Sequence, residues 1–138
     1  MWSCSHSVLA PVTPQQVWRV WRDLPNWPTW DRGLDWVTAD GGLERGGRYT
    51  LKPTGGPAVT AVIRRAQPDI GFTDVTRLPL CELEFDHAIE PTADGVRITH
   101  RATFRGLAAP LFRRIIGAGI ARDLPATMAR LVECARTA

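Results

Sequence analysis

Apolar residues recur every three to four positions along the last part of the chain. Leu107, Leu111, Ile115, Ile116, Ile120, Leu124, Met128, Leu131, Val132 and Ala135 share one face of an α-helix at that period. Arg113, Arg114, Arg122, Arg130 and Glu133 fall largely on the other face. The spacing predicts a helix over residues 107–136, roughly 40 Å long at 1.5 Å per residue. Leu111, Ile115, Leu124, Met128 and Leu131 are expected to be buried beneath it. Pro125 lacks an N–H and crowds the preceding turn, and Asp123 can cap a restarted helix. A kink or break is therefore expected near Arg122–Pro125. Gly117 and Gly119 remove bulk from the inward face, either for close packing against a strand or to leave room for a ligand.

Upstream the period changes to two. Trp2, Cys4, His6 and Val8 alternate with Ser3, Ser5 and Ser7, a half-buried strand. Thr13-Pro14-Gln15-Gln16 is a capping-box pattern that opens a helix ending near Arg22. Its buried face is Val17, Val20, Trp21 and Leu24, and Pro25 stops it. Asn26 can cap a second short helix holding Trp27, Pro28 and Trp30. Strands are then expected over residues 34–39, 48–52, 58–66, 72–78, 81–90 and 96–105, divided by Gly- and Pro-rich turns. The short separations favour antiparallel hairpins. The order is one strand, two short helices, about six strands and one long helix.

Strand parity selects the polar groups that face inward. In Cys81–Glu90 the acids Glu82, Glu84, Asp86 and Glu90 alternate with Leu83, Phe85, His87 and Ile89, so His87 faces in. In Val96–Arg105, His100 shares a face with Val96, Ile98, Ala102 and Phe104. Asp74 shares parity with Phe72 and is a candidate inward carboxylate. Antiparallel partners have a constant residue-number sum, and the turn and apolar pattern suggest 187. That sets His87 opposite His100. Two inward histidines with a carboxylate can act as general acid and base. The alternative is a buried, hydrogen-bonded histidine with a structural task.

Composition narrows the class. The 138 residues fit one domain with a real core. No apolar run is long enough to span a bilayer, and no signal-peptide pattern opens the chain; a soluble cytoplasmic protein is expected. Cys4, Cys81 and Cys134 are scattered outside any CxxC spacing, which suggests neither a disulfide framework nor a zinc site. The net charge of +3 is spread as single arginines, with Lys52 the only lysine, so nucleic-acid binding is not expected. No nucleophile elbow, phosphate loop or HExxH motif is present.

Four stretches together resemble the polyketide cyclase/dehydrase branch of the START-like (SRPBCC) superfamily. They are Val17-Trp18-x-x-Trp21 followed by Asn26-Trp27-Pro28-x-Trp30-Asp31; Leu51-Lys52-Pro53 with its glycine turn; Phe72-Thr73-Asp74 leading to Phe85-Asp86-His87 and Ile89-Glu90-Pro91; and Thr99-His100 with Asp123-Leu124-Pro125 in the last helix. The resemblance covers nearly the whole chain. It implies an α+β helix-grip fold, a curved antiparallel sheet of six to seven strands wrapped around the long C-terminal helix. It also implies an apolar cavity between them.

That cavity would bind a hydrophobic, aromatic or polyketide-like small molecule, without a cofactor or metal and without stable membrane insertion. The protein would be a monomer or homodimer. Candidate lining residues are Trp27, Trp30, Phe72, Phe85, Phe104, Leu111, Ile115 and Gly119, with Trp27 and Trp30 at the mouth. Candidate catalytic residues are His87, His100 and Asp74, because cyclisation needs proton removal from an activated carbon, a polarised carbonyl and a cavity that folds the chain. A non-catalytic carrier or sensor of a lipid, quinone or hormone-like molecule is the competing reading. A third is a protein that binds a partner through its basic helix face.

Overall fold

The structure, a computed structural model, describes residues 1–138. β1 (Trp2–Ala10) leads into α1 (Pro14–Arg22) and a 3-10 helix (Leu24–Thr29). β2 (Leu34–Asp40), β3 (Arg48–Pro53), β4 (Val59–Gln67), β5 (Gly71–Leu78), β6 (Cys81–Thr92) and β7 (Gly95–Arg105) follow. α2 (Ala109–Phe112), a π-helical turn (Arg113–Gly117) and α3 (Ala118–Arg136) then form one continuous C-terminal helix. The seven strands make one antiparallel sheet in the order β1-β7-β6-β5-β4-β3-β2. This is the helix-grip arrangement.

Local chemistry explains the joints. Thr13 caps α1 through its hydroxyl, which accepts from the Gln16 N–H, while the Gln16 side chain accepts from the Thr13 N–H. Only two residues separate Thr92 from Gly95 in the β6–β7 hairpin. Gly95 has φ +149°, and a Cβ there would lie 2.1 Å from the Ala10 carbonyl oxygen. Only glycine lets the hairpin and the end of β1 approach so closely. A register shift between Ile63 and Arg65 marks a bulge in β4. It bends the sheet and returns Ala66 to the face of Ile63.

The main core gathers Val17, Trp21, Leu24, Trp27, Trp30, Tyr49, Ile63, Phe72, Ile98, Met128 and Leu131. A smaller cluster of Cys81, Phe104 and Ala109 lies under α2. Leu131 has no exposed surface. Leu131→Ala is expected to cost about 2–5 kcal/mol, checked by denaturant unfolding.

The long helix differs from its predicted phase at the N-terminal end. Leu124, Met128 and Leu131 are buried as expected, but Leu111 and Ile115 are 55% and 62% exposed. Phe112, Ile116 and Ile120 instead pack on the small cluster. The cause is the π turn, whose wider loop rotates the residues before it relative to those after it. The irregularity lies there and not at Pro125. α3 runs through Pro125 unbroken. Pro125 and Ala121 are both exposed, so water can satisfy the carbonyl left without its usual donor.

Candidate functional site

The β6–β7 ladder sets His87 directly opposite His100, with the predicted sum of 187. Both histidines are buried, and their ring centroids lie 4.6 Å apart at an interplanar angle of 73°. β1 adds His6 opposite His100, so the three histidines of the chain occupy one rung of three adjacent strands. His6 shares the parity of Trp2, Cys4 and Val8 and lies mid-strand, and only the pairing of the first strand with the last brings it to this rung.

An aromatic shell encloses the pair. Phe72 stacks on His87 at 3.9 Å and 7°. Trp21 lies 5.7 Å from His87 and 5.8 Å from His100. Trp30 stands 6.1 Å from His100, and Trp27 6.4 Å from His87. The Trp27 indole N–H donates to the Trp21 carbonyl at 2.8 Å, which pins the 3-10 helix to α1. Trp27 and Trp30, expected at an open mouth, are buried as the wall around the histidines. The short loop after α1 folds the 3-10 helix back over the sheet and covers them.

Burial sets the protonation state. His87 is pushed down to about 3 because its cation loses hydration, against a small upward pull from its hydrogen bonds to backbone carbonyls. Burial, and then the neighbouring His87, hold His100 well below its ordinary value. Both rings are neutral near pH 7. His87 Nδ1 lies 3.3 Å from the Phe72 carbonyl oxygen, which can only accept. Nδ1 therefore carries the proton, and Nε2 is the basic atom. His100 Nε2 is buried without a hydrogen-bond partner, as are the indole nitrogens of Trp21 and Trp30 beside it. Orphaned buried nitrogens are costly, and three converge here.

Asp74 faces inward and is buried, but its partner is not a histidine. It pairs with Phe85, two rungs along from the His87–Phe72 pair and so on the same face, and accepts a hydrogen bond from the Tyr49 hydroxyl. Asp74, the candidate carboxylate of the acid–base group, is held by Tyr49. Burial raises Asp74 to about 7, against the downward pull of the Tyr49 bond; Asp86 and Glu84 add smaller upward contributions. Tyr49 itself is raised well above 10, by burial first and then by Asp74. Nothing near Tyr49 in sequence marks it out.

The remaining lining candidates divide. Phe72 and Phe104 are buried, and Phe85 is partly covered on the inward face, next to partly covered Leu83 and Cys4. Leu111 and Ile115 point outward. A Cβ on Gly119 would meet only the Arg122 guanidinium, at 3.7 Å, so this glycine does not face the sheet. A Cβ on Gly117 would lie 2.8 Å from the Trp2 ring and 3.3 Å from Phe104. Of the two readings for the glycines, close packing holds at Gly117. The space expected between it and the Trp27–Trp30 helix is filled there by Trp2 and Phe104.

A curved sheet gripping a long helix, with polar groups on its concave face, defines the START-like class. The chain belongs to the polyketide cyclase/dehydrase and lipid transport family, whose model matches residues 1–136. No curated protein matches it in sequence. A structure from Nitrosomonas europaea is similar with a TM-score of 0.77 at 15% identity, over 98% of this chain and 94% of that one. Ara h 8.0201 is similar at 0.76 and 11%, over 99% of both chains. The di-domain ARO/CYC BexL from the BE-7585A biosynthetic pathway is similar at 0.74 and 17%, over 99% of this chain and 47% of that one. These likenesses are of fold.

Proposed function

We propose that the protein binds a hydrophobic, partly aromatic, polyketide-like molecule on the inner face of the sheet and promotes its cyclisation or dehydration by general acid–base chemistry. The observation that carries this reading is the buried, neutral His87–His100 pair with an unpartnered Nε2. A neutral imidazole at pH 7 can take a proton from a carbon between two carbonyls. The resulting carbanion closes on a further carbonyl of the chain, and the proton returns to the new alkoxide. Asp74, held by Tyr49 and raised to about 7, is suited to keep a proton near neutral pH. Phe72, Phe85, Phe104, Trp27 and Trp30 supply the apolar surroundings. Leu111, Ile115 and Gly119 are left out because they face away.

One observation favours the carrier reading. Cys4, Leu83 and Phe85 are inward side chains that keep some exposure and are apolar or nearly so, while His87 and His100 are sealed behind aromatic rings. A ligand resting on Phe85 and Leu83 without touching the histidines would be carried unchanged.

The test is 2-naphthol titration followed by tryptophan fluorescence, alongside native mass spectrometry of freshly purified protein. Trp21, Trp27 and Trp30 surround the site, so ligand entry is expected to change their emission. Phe85→Ala is expected to weaken naphthol uptake roughly tenfold through lost apolar contact. Unchanged emission, and no small molecule travelling with the protein, would remove the ligand-binding reading.

A further inference from the structure

Four of the apolar side chains that the fold leaves in solvent gather at one end of the molecule. They are Leu80, Leu107, Leu111 and Ile115, exposed by 73%, 88%, 55% and 62%. The backbone holds them together. The Ala108 N–H donates to the Leu80 carbonyl at 2.9 Å, and the Leu111 N–H donates to the Ala108 carbonyl at 3.0 Å. Leu107 immediately precedes Ala108, and Ile115 follows Leu111 by about one turn.

Leu80 is the more telling residue. It sits in the tight turn between β5 and β6 with φ +53°, a conformation that glycine and asparagine adopt at lower cost. Its side chain packs into neither apolar cluster. Neither turn geometry nor core packing accounts for a leucine there. Arg113 and Arg114 are exposed on the same stretch of helix, and neither has an ion-pair partner. No Asp or Glu occurs between Gly95 and Arg122.

We infer that this end of the molecule docks on an anionic lipid surface. Leu80, Leu107, Leu111 and Ile115 enter the boundary between headgroups and acyl chains, and Arg113 and Arg114 meet the lipid phosphates. Charge decides the occupant. A two-fold contact with a second copy would press these arginines against their own counterparts with no carboxylate in the patch to offset them. Two grooves of the molecule lie away from this patch. One runs between α1, the 3-10 helix and Cys134, the other beside Arg45, Arg48 and Arg77. The contact is peripheral, since no helix is long and apolar enough to cross a membrane.

Co-sedimentation tests this. The full chain is mixed with vesicles of phosphatidylcholine alone, or of equal parts phosphatidylcholine and phosphatidylglycerol. It is expected to pellet with the anionic vesicles at low salt, to stay free with the neutral ones, and to be released as salt screens the arginines. Leu111→Asp/Ile115→Asp and Arg113→Gln/Arg114→Gln are each expected to lower partitioning roughly tenfold or more. All four positions are exposed, so both double variants should keep the wild-type circular dichroism spectrum and thermal midpoint; the arginine pair tests the idea even if the aspartates disturb the helix. Wild type that ignores anionic vesicles, or variants that bind as it does, would overturn the inference. So would sedimentation equilibrium showing a dimer that Leu111→Asp/Ile115→Asp dissolves, which would assign the patch to a second copy.

Discussion

His87→Phe and His100→Phe are expected to keep the fold, abolish turnover and make the protein more resistant to acid. Loss of a general base costs a reaction about 10²–10⁴-fold. The acid resistance follows from proton linkage. In the folded protein His87 titrates near 3 and His100 also well below 6.5, whereas the unfolded chain binds both protons near 6.5. Their contribution to stability is fully present above pH 6.5 and is lost as pH falls toward 3. Asp74 opposes them: raised to about 7, it holds a proton in the folded state that the unfolded chain releases above its ordinary 3.8. Between pH 4 and 6.5 unfolding therefore takes up two protons at the histidines and releases one at Asp74.

For these three groups the net is one proton, so together they should raise wild-type stability by about 1.4 kcal/mol per pH unit across that window. A single His→Phe variant should show almost no slope, and the double variant a slope of the opposite sign. Urea unfolding at several pH values measures all three. A wild-type slope retained in the double variant would mean that the histidines are not the buried neutral groups described. Acid resistance together with unchanged turnover would make them structural and move the carrier reading ahead.

The histidine pair was legible because it depends on local information. Acids at alternate positions of β6 identify its ion-paired outer face, and a hairpin with a short turn leaves few registers. The Tyr49–Asp74 contact was not legible. It joins β3 to β5 across β4, whose bulge between Ile63 and Arg65 shifts parity midway. No pattern within either strand reports it. The long helix shows the same division. Its existence and its Leu124–Leu131 face follow from a period of 3.6. Its first turns offer apolar neighbours on two faces, Leu111 beside Phe112 and Ile115 beside Ile116. Periodicity cannot choose between them. The choice is made by Trp2 and Phe104 packing against Gly117, and the π turn is how the helix accommodates it.

Tyr49→Phe is expected to be a pH-dependent lesion. At pH 8 Asp74 is ionised, and the Tyr49 hydroxyl is its hydrogen-bond donor in the core. A hydrogen bond to a buried charge is worth about 1.5–3 kcal/mol, and its loss leaves the carboxylate without compensation. At pH 5 Asp74 is protonated and the same substitution should cost only about 1 kcal/mol. The bond pulls the Asp74 value down, so the variant's carboxyl should titrate above about 7, visible as a displaced carboxyl carbon-13 titration. Asp74→Asn supplies the complementary sign. The carboxyl, raised from 3.8 to about 7, weakens the fold as pH rises through that window and costs nothing below it. Relative to wild type, Asp74→Asn should gain about 4 kcal/mol between pH 4 and pH 8. In the pH 4–6.5 window its own stability should rise about twice as steeply as wild type, because the histidines then act unopposed. An equal cost of Tyr49→Phe at both pH values, with an Asp74 carboxyl titrating near 4, would show that the carboxylate is hydrated and not the proton-holding group assigned to it.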